Sequence, residues 1–408
     1  MRWVVLALLL VVTSINYLDR LLLSVLAPVL RDDFHFSERL YGYVNGSFQI
    51  FYAFGFLASG VLLDRFGVKK GLAAGAVLWS VASAMHATVT GAAQFAVWRA
   101  MLGLTEAVNF PACNKAVAEW FPAEQRALAT GIFNAGPNVA SVIGPPLFIW
   151  LSASYGWRVC FAAVSLAGVL WVAAWLAFYR TSENLAPPVA GGGYGLREAL
   201  RIRQTRGYAI SKVLVDPVWY FLLFWLPLYF RDVRGLEMKE IGWALPCIYF
   251  ASGVGSVTAG WLSGHLLARG RSRRAARMVT LSLCAAVPPM VLFLAMGGTL
   301  TRTIVLFSAA AAAHQAFSSI SFTLPGDVFP ARTLGTILGV GSFAGTISSV
   351  LFSAILPGYL IPLFGYKPLL VTLSFGYVAA VVVIHRHFGD FQPVGVSETR
   401  GRAGLPGI

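Results

Sequence analysis

Charge is what this chain has least of. Asp, Glu, Lys and Arg together make up 12% of its 408 residues, where a soluble domain carries about a quarter. Hydrophobic residues make up 57%, and the two figures together exclude an ordinary soluble fold. Acidic residues are the scarcer sign, 17 against 31 basic ones. Cysteine is rare too. Cys113, Cys160, Cys247 and Cys284 lie scattered in apolar stretches, with neither metal-ligand spacing nor a disulfide framework, and read as small core residues. No metal-ligand cluster, nucleophile–base pairing or phosphate-cradling loop is present. No metal or cofactor is therefore expected, and a membrane enzyme or receptor has no chemistry to rest on.

What is there is a series of twelve apolar runs, near 3–29, 40–63, 71–90, 92–117, 127–152, 157–179, 207–230, 240–267, 276–297, 302–326, 334–361 and 365–386. Each approaches the roughly 20 residues that cross a bilayer as a helix. The first run is too long for a signal-peptide core, lacks a small-residue cleavage site and carries charges, so it is expected to remain as a span. The stretch 181–206, rich in Pro, Gly and charge, divides the spans six and six. The expected layout is an N-terminal six-helix bundle at 1–180, a cytoplasmic linker at 181–206, a C-terminal six-helix bundle at 207–388 and a cytoplasmic tail at 389–408. With both termini cytoplasmic, the excess of Lys and Arg falls in inner loops, including "ARGRSRRAARM" (268–278). That is the positive-inside bias, so the net charge of +14 reports topology and not a nucleic-acid partner.

The halves repeat. "EWFPAEQRALATGIFNAG" (119–136) and "DVFPARTLGTILGVGSFAG" (327–345) share an acid, an F-P-A triplet and a glycine at constant offset. "GW" at 156–157 and "GY" at 365–366 each precede the last span of a half. "GVLLDRFGVKK" (60–70) has a degraded counterpart in "GWLSGHLLARG" (260–270). The fold class expected is an all-α membrane protein of twelve transmembrane helices in two pseudo-symmetric bundles, with a binding site between them near the bilayer midplane.

At these motifs the chain resembles a known family. "GVLLDRFGVKK" looks like the signature loop between spans two and three of the major facilitator superfamily. "INYLDR" (15–20) and the run 99–136 resemble its anion:cation symporter branch. "DPVWYFLLFWLPLYF" (216–230) and "AHQAFSS" (313–319) are similar to hexuronate and aldonate transporters. The resemblance covers essentially the whole chain, and it implies proton-coupled uptake of a sugar acid across a bacterial-type inner membrane.

The residues themselves point the same way. A helix starting at Trp3 carries Asp19 roughly 24 Å along its axis, well inside the bilayer. A charge at that depth costs roughly 2.5–3.5 kcal/mol and ordinarily marks an ion or substrate route. Asn16, Asp19 and Arg20 share one face of span one. Arg99 and Glu106, seven residues apart in span four, fall nearly in line. Asn45, Gln49 and Tyr52 recur on one face of span two, and Asn134 and Asn138 make an i, i+4 pair in span five. If these stripes converge, they line a wet cavity holding two acids and two arginines.

An arginine there pairs with Asp19 or Glu106 until a substrate carboxylate competes for the guanidinium, which binds it through two parallel hydrogen bonds. A carboxylate left buried without a partner takes a proton, so anion and proton load together. The resemblance implies proton roles for Asp19 and Glu106 and an anion-binding role for Arg20. It also matches Tyr17 and Tyr52 to positions that hydrogen-bond substrate. Arg99 is expected to pair with Glu106. In span ten, Gln315, Ser318, Ser319 and Phe322 share a side. His314 either titrates near neutral pH or is a hydrogen-bonded core histidine, and Trp219 either stacks on a sugar or packs. Ser342 of span eleven is a candidate to reach the cavity. Asp64 and Arg65, at the inner end of span two, are expected to work conformationally, Asp64 facing a helix N-terminus.

The expected partners are a small organic anion, protons and the lipid bilayer, with the protein a monomer. An organic phosphate antiporter of the same superfamily is the alternative. It calls for a strong cation from each half, and span seven offers only Lys212, near its inner end. A multidrug exporter departs further, since "GPNVAS" and "GPPLF" (both in span five) miss the antiporter pattern.

Overall fold

Long apolar runs fold as helices in a bilayer because each backbone N–H and C=O must be satisfied without water. The computed structural model describes residues 1–34, 38–180, 194–235, 238–296 and 298–394. Span one is Arg2–Val25. Spans two and three are one continuous assignment, Glu38–Met85, broken at Gly67, whose φ of 78° is open to glycine without strain. Span four is Ala92–Glu106 and Asn109–Trp120. Span five is Ala123–Phe133 and Gly136–Tyr155, and span six is Trp157–Phe178. Span seven follows as Arg203–Phe224 and Leu226–Arg234, then span eight, Met238–Ala268. Span nine is Arg273–Ala286 with a 3₁₀ continuation, Pro288–Met296, and span ten is Leu300–Val328. Span eleven is Leu334–Ser349, a π turn at Val350–Ile355, and Leu356–Phe364. Span twelve is Lys367–Phe388. Of the expected linker, 181–193 lies outside the described residues, as does 395–408 of the expected tail.

Among the described residues, eight helices are long and apolar enough to cross a membrane. One of them, Tyr43–Thr88, is the hairpin of spans two and three. Spans four, five and seven, each in two pieces, are not among the eight, and with them the spans number twelve. Large side chains such as Phe250, Tyr359 and Leu363 stand exposed on the outer surface. In water such a surface would be an association hazard; in a bilayer it is the solvated face.

The first and second halves of the chain meet along two seams. In one, a Cβ on Gly131 of span five would strike the Ser256 carbonyl of span eight, and a Cβ on Gly260 that of Ala127. In the other, Gly60 of span two lies against the Gly335 backbone of span eleven. Small residues at these positions let backbones approach closely, as membrane helices do where lipid supplies no hydrophobic drive.

Candidate functional site

The breaks in spans four and five sit where the charges do. Span four pauses after Glu106, and span five turns at Asn134 and Ala135, ahead of Pro137. Interrupted backbone at membrane depth is tolerated where protein or a cavity covers it. Here the cavity lies between the two halves, lined by residues of spans one, two, four and five on one side and seven, ten and eleven on the other.

Arg20 projects from span one into this cavity. Its Nε donates to Glu106 Oε2 at 2.8 Å and its Nη2 to Asn16 Oδ1 at 2.8 Å. The guanidinium stands over the rings of Tyr52 (4.3 Å to centroid), Tyr17 (4.6 Å) and Phe48 (5.4 Å). Aromatic faces hold a cation without neutralising it, so the remaining donor edge keeps its pull on an anion. Glu106 is fully buried, and its Oε1 has no hydrogen-bond partner among the described residues. Asp19, 1% exposed, turns away from the cavity: its Oδ1 accepts from Ser83 Oγ of span three, and its Oδ2 is likewise unpartnered among the described residues.

Arg99 departs from expectation. Glu106 is paired with Arg20 instead, and Arg99 donates from Nη1 to the Asp19 carbonyl (3.3 Å) and from Nη2 to that of Arg20 (3.1 Å). It fastens the span-one backbone at Asp19 and Arg20.

Of the other candidates, Tyr17, Tyr52, Asn134, Trp219, His314, Gln315 and Ser318 line the cavity. His314 is held between two neighbours, with Nδ1 2.7 Å from the Tyr377 hydroxyl and its ring stacked on Trp219 at 5.5 Å. The flat partner of Trp219 is thus this imidazole. Gln315 Nε2 reaches the Asn134 carbonyl across the halves at 3.5 Å. Ser342 also lines the cavity, and its hydroxyl has no partner among the described residues. Asn138 does not line it. Asn138 Oδ1 accepts from Ser252 Oγ of span eight at 2.7 Å, because the turn at Asn134 rotates the next helix piece away. The i, i+4 argument fails where the helix is not continuous.

Sequence reasoning missed Asp216 and misplaced Lys212. Both line the cavity, joined by an ion pair of 2.8 Å. Their i, i+4 spacing in "KVLVD" was the available signal. Phe110 of span four, stacked on Phe322 of span ten (5.7 Å, 16°), lines the cavity with them.

Asp64 lies outside the cavity lining. Its carboxylate accepts from Lys115 Nζ (2.5 Å), from the N–H groups of Gly335 (2.9 Å) and Thr336 (2.7 Å) and from the Thr336 hydroxyl (2.7 Å). A carboxylate at the start of span eleven is favoured by the helix dipole. Two further ties cross the halves at this end: Arg126 Nη1 to the Gly326 carbonyl (2.7 Å), and Arg277 Nη2 to that of Ala123 (3.2 Å). Arg277 also pairs with Asp327, both fully buried. Arg65 stays exposed, its guanidinium 5.4 Å from the Phe66 ring centroid.

Residues 9–353 match the family model described as Major Facilitator Superfamily. The chain belongs to that superfamily. Its members' twelve-helix fold accounts for the repeated halves and for the cavity between them, and the chain is a multi-pass integral membrane protein. It is similar to the hexuronate transporter of Escherichia coli (strain K12), 30% identical over 94% of this chain and 93% of the relative. It is also similar to the probable galactarate/D-glucarate transporter GudP of Bacillus subtilis (strain 168), 28% identical over 93% of this chain and 90% of that one. Among solved structures, the proton:xylose symporter XylE superposes with a TM-score of 0.77 at 14% identity, covering 98% of each chain. At that identity the likeness speaks for the fold alone.

Proposed function

We propose that this protein is a secondary transporter that takes up a sugar acid, a hexuronate or aldonate, together with protons by alternating access across a bacterial-type inner membrane. The observation that carries the reading is Arg20: a guanidinium on the cavity wall, held by one buried carboxylate and flanked by two tyrosines. A substrate carboxylate entering the cavity displaces Glu106 from Arg20 and gains a bidentate cation. Glu106, now without a partner in a dry site, takes a proton, and Asp19 forms the second station of the same buried acid pair. Tyr17, Tyr52, Gln315, Ser318 and Ser342 supply hydroxyl and amide partners for the sugar. The names of the curated relatives support the substrate class.

Lys212 favours a second reading, an organic phosphate antiporter, since it gives the second half a cation at the cavity. The curated relatives, named as hexuronate and galactarate/D-glucarate transporters, keep the sugar acid ahead. The test is a panel in proteoliposomes: glucuronate, galacturonate, galactonate, glycerol phosphate and a neutral sugar under an imposed pH gradient. Saturable uptake of a sugar acid with external alkalinisation is expected. Uptake of glycerol phosphate alone, by exchange and without proton movement, overturns the reading.

In this reading the Asp64 ties hold the two halves together, and the cavity shut, on the side of the loop between spans two and three, taken as cytoplasmic. Asp64→Asn removes the ionised acceptor from a helix N-terminus, an effect of up to about 2 kcal/mol, which is roughly thirtyfold in the ratio of two states. A cysteine placed just below Phe322, in a background lacking the native cysteines, is expected to label faster from the cytoplasmic side in that variant. Unchanged labelling removes Asp64 from the lock.

A further inference from the structure

The Lys212–Asp216 ion pair has no structural task that accounts for it. Both residues lie on the same helix, four apart, so the pair ties no two elements together. An i, i+4 pair adds only about 0.3–0.5 kcal/mol to a helix, whereas desolvating each ion costs several kcal/mol. The side chains are 5% and 19% exposed, and both line the cavity that Arg20 lines. Span eleven leaves room for them: a Cβ on Gly345 would collide with the Asp216 carboxylate and press on Lys212.

The two cations are linked along the cavity wall by rings. Lys212 Nζ stands 4.1 Å from the centroid of Phe322, which stacks on Phe110. Phe110 meets Tyr17 edge-on at 6.3 Å, and Tyr17 carries Arg20 on its face. A positive group therefore stands at either end of a strip of three aromatic rings, one cation from each half of the chain. The cations differ in what an arriving anion must do. At Arg20 it displaces Glu106. An ammonium has three donors, so Lys212 keeps Asp216 and receives a carboxylate as well.

We propose that Lys212 binds the second carboxylate of a doubly charged sugar acid, an aldarate, whose first carboxylate is held by Arg20. The inference rests on the transport reading above and deepens it, because a hexuronate or aldonate has one ionised end and an aldarate has two. Span seven then selects for the charge number of the substrate, and closing the cavity around a dianion draws the two halves onto one molecule.

Galactarate and galacturonate test this, since they share hydroxyl configuration and differ only at one terminal carbon. Counterflow of both is measured with the full-length protein in proteoliposomes, for wild type, Lys212→Gln and Lys212→Arg. Wild type is expected to take both. Lys212→Gln should lower the galactarate-to-galacturonate ratio of transport efficiencies at least tenfold, and Lys212→Arg, which keeps the cation, should hold it within about threefold. If Lys212→Gln is inactive toward both, the apolar double variant Lys212→Met with Asp216→Leu replaces it, with the same fall expected. A ratio unchanged by removal of the cation overturns the proposal. So does a wild type that carries galacturonate and ignores galactarate, which leaves the transport reading standing. Wild type that carries neither overturns both.

Discussion

Arg20→Met is expected to lower sugar-acid affinity by at least a hundredfold. Each hydrogen bond to a charged group contributes about 1.5–3 kcal/mol, and a bidentate carboxylate loses two of them with the guanidinium. The same substitution strands Glu106, fully buried, without its cation, and breaking a buried pair by removing one partner costs about 3–5 kcal/mol of stability. Loss of transport alone would therefore be ambiguous. The double variant Arg20→Met with Glu106→Gln removes the stranded charge, so it should recover the folded yield while binding stays lost. Ligand-induced thermal shift of the purified protein separates the two effects. Substrate protection of the double variant at wild-type concentrations would show that Arg20 is not the anion site.

The second large effect belongs to the acids. With one proton per anion, a gradient of one pH unit supports about tenfold accumulation, and Glu106→Gln should bring that ratio to unity while counterflow continues. The sign of the pH dependence follows from the pair. As pH falls, protonation of Glu106 releases Arg20, so wild-type anion affinity should rise. In Glu106→Gln the competitor is permanently neutral, and affinity should be flat across the same range. Asp19→Asn should uncouple as well, but with weaker influence on affinity, since Asp19 is bonded to Ser83 and does not compete for Arg20. Measuring accumulation and counterflow side by side decides the matter: if both variants lose exchange as completely as accumulation, neither acid carries the coupling proton.

Much of this was legible in the residues because burial of charge in a bilayer is expensive enough to be selective. The isolated charges of span one stand out against leucine and valine, and the repeated F-P-A segments imply paired bundles. What escaped had a common physical origin, namely that helical-wheel reasoning assumes one unbroken helix. Asn134 and Asn138 share a face only if span five runs straight, and it turns between them. Arg99 and Glu106 line up in span four, yet the reach of Arg20 across from span one decided the pairing. Lys212 looked terminal because hydropathy starts span seven at 207, whereas the helix begins at Arg203. The lysine then lies roughly 13 Å along it, deep enough to meet the cavity. Asp216 was passed over because Lys212, set near the inner end of the span, was not weighed as its partner.

The glycine seams have a mechanical meaning. Where Gly131 meets Ser256 and Gly60 meets Gly335, backbone approaches backbone, and polar side chains stitch the same seams: Ser256 Oγ donates to the Gly131 carbonyl at 3.0 Å, Ser252 Oγ to Asn138 Oδ1 at 2.7 Å, and Asp64 accepts from the Gly335 N–H. Any rocking of the halves would have to break these bonds as well as the ties of Asp64, Arg126 and Arg277, so resistance to it is spread along the seams. Gln315, which lines the cavity, itself reaches the Asn134 carbonyl across the halves, so a substitution there that alters what is carried is expected to alter the rate of turnover with it.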